Sequence, residues 1–305
     1  METDELNPPN PAKSRRFSLR RLARFNLRFF LIAIAIFCLS TSILVYRSSD
    51  QKRAVAAIRD FGGWVRYDFQ FVDGDFDNQR ESWVPELLME KLGIDFFHSV
   101  KEINLVYSND QGGRQDNDNI KPAPLDQLQR LPGLERLYLH QTQATDDNLI
   151  HVGKLKRLKT FYVWDAFSVS DIGVAHLARL KNLEQIHLTK SKITDESLRV
   201  FGKMPKLKRL TLQFNELSDQ GVKHLAQLDE LESLWICGKK ADTEFEDEND
   251  NREGSHSDNQ ITDASLAVLG SFKNLKTLGI QATRITPQSV EEFQTKNPGC
   301  KIYFE

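Results

Sequence analysis

Rings spaced two residues apart are the feature of this 305-residue chain most able to do chemistry: Tyr138 with His140, Tyr162 with Trp164, then His187 and Trp235. Arg136 and Arg209 hold comparable positions. Alternate residues of a strand share a face, so each pair stands on one surface. Large amphipathic rings on an open sheet anchor interfaces with other macromolecules. They do not form a catalytic set, which needs a nucleophile or an acid and base in register. There is no His-Glu-x-x-His, Gly-x-Ser-x-Gly or Walker loop, and Cys237 has no identifiable base. His176 and His224 each sit two residues after a Gly-Val pair and read as parts of a recurring helix. The expectation is a non-enzymatic protein with no cofactor.

Carboxylates are the other candidates. Asp73-Gly74-Asp75-Phe76-Asp77 alternates them as a calcium loop does, but Asn78 stands where such a loop needs glycine and Val84 where it needs glutamate. Between Asp242 and Asp258 eight acidic residues crowd one segment, which reads as a solvated loop. No metal site is expected.

The elements that must position these residues follow from a repeat. Leu131, Leu155, Leu180, Met204, Leu228 and Phe272 each open a nine-residue segment with apolar residues at offsets 0, 3, 6 and 8. Offsets 6 and 8 are the inward positions of a short strand. Offsets 5, 7 and 9 point outward. They carry Arg136, Tyr138 and His140, then Thr160, Tyr162 and Trp164, and later His187, Arg209, Trp235 and Cys237. A second signature, as in Ile193-Thr194-Asp195, follows each strand: Ser or Thr caps a helix and Asp places negative charge near its positive end. Ile285-Thr286-Pro287 varies this with proline at the first helical position. One strand and one helix per 20–29 residues is the leucine-rich-repeat signature. Phe97, Val100, Ile103 and Leu105 extend the register one unit back.

A cap precedes the repeats, with a helix from Ala54 to Phe61, a Gly62-Gly63 break, a strand through Val65, Tyr67, Phe69 and Phe71, and a helix from Trp83 to Leu92. Cys300 to Phe304 supplies a closing strand. Before the cap, Phe29 to Tyr46 is an 18-residue run without charge, long enough to span a bilayer. Residues 1–28 hold seven basic and three acidic groups, which keeps the N-terminus cytoplasmic and the repeats outside. The whole chain has a net charge of −2, so beyond residue 28 it carries −6, which argues against nucleic acid as a ligand. A cleaved signal peptide is the competing reading of the apolar run. Cys237 and Cys300 lie in different repeats and are expected unpaired.

The repeat consensus with Ile-Thr-Asp before the helix resembles the cysteine-containing subclass of leucine-rich repeats. The architecture is similar to the single-pass, membrane-anchored leucine-rich-repeat proteins of planctomycete bacteria, through Arg16-Phe-Ser-Leu-Arg20 before the anchor and the helix leading into Gly-Gly. The resemblance implies an α/β fold: a solenoid of right-handed strand–helix repeats with a parallel concave sheet, preceded by one transmembrane helix. The expected organisation is a basic tail (1–28), a transmembrane helix (29–46), a cap (47–96) and a repeat domain (97–305) with insertions near 109–121 and 239–260. Arg136, Tyr138, His140, Tyr162, Trp164, His187, Arg209 and Trp235 are the expected concave binding residues. The expected partner is a protein or an extracytoplasmic polymer, with the membrane held through residues 29–46.

Overall fold

The computed structural model describes residues 27–106, 123–140, 142–238 and 259–304, so both expected insertions and the basic tail lie almost wholly outside the described residues. Two compact units divide the chain between Tyr46 and Arg47.

In the first unit, helix α1 (Leu27–Asp60) carries a segment long and apolar enough to cross a membrane. Its apolar side chains, Phe29 to Tyr46, are exposed. Three hydroxyls inside the apolar segment are satisfied within the helix: Ser40 and Thr41 donate to the Phe37 carbonyl at 2.9 Å and Ser42 to that of Cys38 at 2.7 Å. Such back-bonding leaves no polar hydrogen unpaired in an apolar medium. The sequence reading separated this helix from one starting at Ala54. They are one helix, because residues 47–53 contain neither glycine nor proline to interrupt it.

In the second unit, the end of α1 buries Ala54, Val55 and Ile58 in the cap. There Gln51 donates to the His98 carbonyl at 2.7 Å and to Asp95 at 2.9 Å. Strand β1 (Trp64–Tyr67) follows. The longer strand expected through Phe71 stops at Tyr67, because residues 68–70 form a helical turn. Asp68 explains the stop: its carboxylate accepts from His98 Nδ1 at 2.8 Å and from Ser99 Oγ at 3.0 Å. The chain then makes a hairpin of β2 (Phe71–Val72) and β3 (Asp75–Phe76). Both turn residues have positive φ, 50° at Asp73 and 97° at Gly74, as a two-residue type I′ hairpin requires. The Asp-Gly-Asp motif is thereby accounted for as turn chemistry. Helix α2 (Glu86–Leu92) begins three residues later than expected, after Pro85, and α3 (Ile94–Phe97) follows. Phe97 ends α3 half-buried, so it is not the core position that the repeat register gave it.

The repeats supply β4 (Val100–Val106), β5 (Arg136–His140), β6 (Thr160–Trp164), β7 (Gln185–Leu188), β8 (Arg209–Thr211), β9 (Ser233–Trp235), β10 (Thr277–Gly279) and the closing β11 (Lys301–Tyr303). Among the described residues they form one sheet in chain order, parallel throughout, with β1 antiparallel on β4. Helices α4 (Asp146–Val152), α5 (Asp171–Leu177), α6 (Asp195–Phe201), α7 (Asp219–His224), α8 (Asp263–Leu269) and α9 (Pro287–Lys296) complete the units. In all six aligned repeats the residues at offsets 0, 3, 6 and 8 are buried, the least so at 8 % exposure. The result is an α/β solenoid whose sheet has one face on the leucine core and one face open.

What joins repeat to repeat is more than the core. Ser170, Thr194, Ser218 and Thr262 cap their own helices as expected. The aspartate after each cap does something the sequence reading did not foresee: it accepts from the cap residue of the next repeat. Asp146 takes Ser170 N at 2.7 Å and Oγ at 2.6 Å, Asp171 takes Thr194 N at 2.9 Å and Oγ1 at 2.7 Å, and Asp219 takes Thr262 N at 2.9 Å and Oγ1 at 2.6 Å. Asp195 and Asp263 do the same for Ser218 and Thr286. Burial opposes ionisation of Asp219, but the bonds from Ser265 and Thr262 outweigh it and hold its carboxyl below the usual range. At the other end of the strands a charge ladder joins neighbours. Glu135 lies between Lys101 and Lys159, the latter at 2.8 Å, and Lys276 meets Glu232 at 3.1 Å.

Candidate functional site

The pairing register carries one row of outward side chains across the whole open face: Trp64, Asn104, Tyr138, Tyr162, His187, Thr211, Trp235, Gly279 and Tyr303. Neighbours in such a row stand about 4.8 Å apart, within reach of ring-on-ring contact. Five of the expected residues do meet. Tyr138 lies 5.2 Å from Tyr162, Tyr162 stacks on His187 at 5.1 Å with planes 5° apart, and His140 lies 4.2 Å from Trp164. Trp164 closes the group edge-on, 5.0 Å from His187 and 6.3 Å from Tyr162.

These contacts fix the chemistry of the patch. Parallel rings on adjacent strands must stand upright on the sheet, so the Tyr162 and His187 faces are spent on each other. Trp164 remains 40 % exposed and offers the largest free apolar surface of the five. The Tyr162 hydroxyl donates to Gln185 at 3.2 Å. His187 Nε2 is buried with no hydrogen-bond partner. Burial, helped by His140, pushes the His187 pKa down to about 4. Burial likewise lowers that of His140, with Asp165 pulling the other way. Both imidazoles are neutral at pH 7, and the patch is an uncharged, pre-ordered cluster. Rings already locked lose little rotamer freedom on binding.

The other expected residues are placed differently. Trp235 is separated from the patch by Thr211 and packs instead against Tyr303 at 4.9 Å. Its indole occupies the room that a side chain on β10 would need: a Cβ at residue 279 would meet the ring at 2.1 Å. Glycine at 279 is therefore part of this second cluster, a role no sequence pattern announced. Arg209 stands exposed on β8. Arg136 is not free. Its guanidinium lies over Phe71, donates to the Gly74 carbonyl and faces Glu102 at 3.8 Å. Arg66 completes the clamp, 2.6 Å from Glu102 and stacked on Phe76 at 3.5 Å. Two arginines around a carboxylate that is only 4 % exposed thus fasten the hairpin to the open face.

Cys237, expected on the open face, is buried, and burial raises its thiol pKa. Thr160 and Thr189 are also buried at outward offsets. The thiols of Cys237 and Cys300 are free. Among the described residues no group of three or more His, Cys, Asp or Glu is placed to hold a metal.

Residues 203–226, from just after α6 through β8 and the whole of α7, match the family model described as Leucine Rich repeat. Similar solved structures are internalin C2 of Listeria monocytogenes (20% identity over 59% of this chain, TM-score 0.45) and a leucine-rich-repeat protein of Leptospira interrogans (24% over 58%, TM-score 0.40). A third is the plant peptide hormone receptor RGFR1 in complex with RGF2 (21% over 57%, TM-score 0.38). The alignments span 65%, 39% and 25% of those three chains, less than two thirds of each. No curated protein matches the chain. The repeating strand and helix units, their leucine core and the matched repeat make this chain a leucine-rich-repeat protein.

Proposed function

We propose that the chain is a membrane-anchored binding module that takes an extended protein segment, or another extracytoplasmic polymer, along the open concave face of its sheet. The observation that carries this is the contiguous ring cluster of Tyr138, His140, Tyr162, Trp164 and His187 over three neighbouring strands. A pre-ordered, uncharged aromatic surface suits interface anchoring, and contiguous apolar patches mark interaction sites. The apolar segment of α1 supports anchoring, and the basic residues before it support a cytoplasmic N-terminus with the repeats outside. The sequence resemblance to single-pass, membrane-anchored leucine-rich-repeat proteins agrees with this reading.

Mutual packing of the same rings supports a second reading, a spacer whose rings only shield the strand surface. Crosslinking pull-down with the full chain separates the two. A partner captured by the wild type and lost from a folded Tyr162→Ala/Trp164→Ala variant supports binding, whereas unchanged capture supports the spacer. Alkaline extraction and protease protection of the N-terminal tail test the anchor independently.

A further inference from the structure

We propose that the exposed apolar face of α2, with Trp83 before it, is a second membrane contact, which inserts into the headgroup zone of the bilayer that holds the anchor. This rests on the reading of Phe29 to Tyr46 as that anchor. Helix α2 has seven residues, four of them Leu or Met, and none is buried. A helix this short is unstable by itself in water and normally gains its stability by packing an apolar face. Here that face is open: Leu87 is 60 % exposed, Leu88 42 % and Leu92 50 %. At 3.6 residues per turn these three and Lys91 fall within one arc of about 140°, while Glu86 and Glu90 fall on the opposite side. Trp83, four residues before Leu87, is 76 % exposed, the most of any large apolar side chain among the described residues.

The length of the connecting chain points to lipid as the occupant. Gln51 stands five residues after Tyr46. At no more than about 3.6 Å per residue it lies within about 18 Å of the last residue of the apolar run, however the two units are oriented. Gln51 in turn holds the segment around α2, through its bonds to Asp95 at 2.9 Å and to the His98 carbonyl at 2.7 Å. His98 Nε2 lies 2.7 Å from Ser82 Oγ, and its ring 6.2 Å from that of Trp83. The apolar face is therefore leashed to the anchor. A short leash makes the second contact intramolecular, so four side chains suffice where they would not hold a free protein on a bilayer. The chemistry suits the headgroup zone. Tryptophan is enriched there, and Lys91 can extend its ammonium outward while its stem lies with the leucines. Arg47, Lys52 and Arg53, exposed just after the apolar run, supply cations for phosphate oxygens. A second copy of the chain would not be brought to the face by this leash.

The test uses the full chain in nanodiscs of phosphatidylcholine and phosphatidylglycerol, one chain per disc, with lipid brominated near the glycerol end of an acyl chain. The difference in tryptophan emission between wild type and Trp83→Phe isolates Trp83 from Trp64, Trp164 and Trp235. Brominated lipid is expected to quench the Trp83 emission by half or more, and acrylamide in the water to quench it little. Leu87→Ser/Leu92→Ser, at two exposed positions, should at least halve that lipid quenching with the urea midpoint kept. Trp83 quenched by acrylamide and not by lipid lies in water, and Trp83 shielded from both is covered by protein. Either result overturns the proposal, as does unchanged lipid quenching in the double serine variant. Alkaline extraction from vesicles of the same lipids separates this contact from the anchor. A chain that stays in the bilayer with Trp83 unquenched by lipid overturns the second contact alone, whereas a chain that is extracted overturns the anchor and the contact with it.

Discussion

Replacing His187 by phenylalanine tests the electrostatic account of the aromatic cluster. The wild-type imidazole is stacked on Tyr162, closed off by Trp164 and held at a pKa of about 4, against 6.5 for the free group. The folded state therefore binds a proton less readily than the unfolded chain, and acid favours unfolding. The group costs nothing above pH 6.5, its penalty grows as pH falls from there toward 4, and it is constant below 4. A depression of about 2.5 pH units corresponds to a ceiling of about 3.4 kcal/mol, and linkage gives about 2 kcal/mol at pH 5. Phenylalanine keeps the ring contact and has nothing to titrate. The assay is urea denaturation of wild type and His187→Phe at pH 7.5 and pH 5, followed by tryptophan emission, to which Trp164 contributes beside the substituted ring. The stability of the variant relative to wild type should rise by about 2 kcal/mol between the two pH values. An unchanged difference would refute the burial argument, because it would mean that His187 is protonated in place at no cost.

Three further outcomes follow from packing and hydrogen bonding. Leu210, fully buried at an inward offset of β8, should cost about 3–5 kcal/mol as Leu210→Ala, measured by the urea midpoint. Asp219→Ala removes the acceptor of Thr262 N, Thr262 Oγ1 and Ser265 Oγ and should cost about 2 kcal/mol at pH 7. Since the carboxyl of Asp219 is held below its ordinary value, that loss should persist down to about pH 4 and shrink only below it, as wild-type Asp219 itself becomes protonated. Gly279→Ala places a methyl inside the Trp235 ring, so it should cost about 1–3 kcal/mol and shift the tryptophan emission while leaving capture by the Tyr162 and Trp164 surface intact.

How far the sequence alone reached depends on the range of the contact. The inward residues were readable because each strand buries offsets 6 and 8 regardless of the rest of the chain, and Leu137, Leu139, Leu210 and Leu212 obey that rule. The central cluster was readable for the same reason: equal offsets in consecutive repeats become cross-strand neighbours, which brought Tyr138, Tyr162 and His187 together. The aspartates were visible as a recurring pattern, but their partners lie 23 to 43 residues further on, so a local capping role was the natural reading. Arg136 read only as an outward binding residue because the hairpin that engages it, Phe71 to Phe76, lies outside the repeat. Asp73 and Asp75 read as a pair of carboxylates, whereas positive φ at Asp73 and Gly74 makes the pair a turn.

Periodicity by itself determined that this chain is a strand and helix solenoid, which residues face its core, which rings share its open face, and that an apolar segment precedes it. A repeat interacts mainly with its neighbours, so its structure is written in a local pattern. Tertiary structure decided everything that breaks the period: the cap hairpin fastened by Arg66, Glu102 and Arg136, the room that Gly279 leaves for Trp235, and the buried, unpaired Oδ1 of Asn104. Those features come from segments that are distant in the chain and meet only once the solenoid and its cap are packed together.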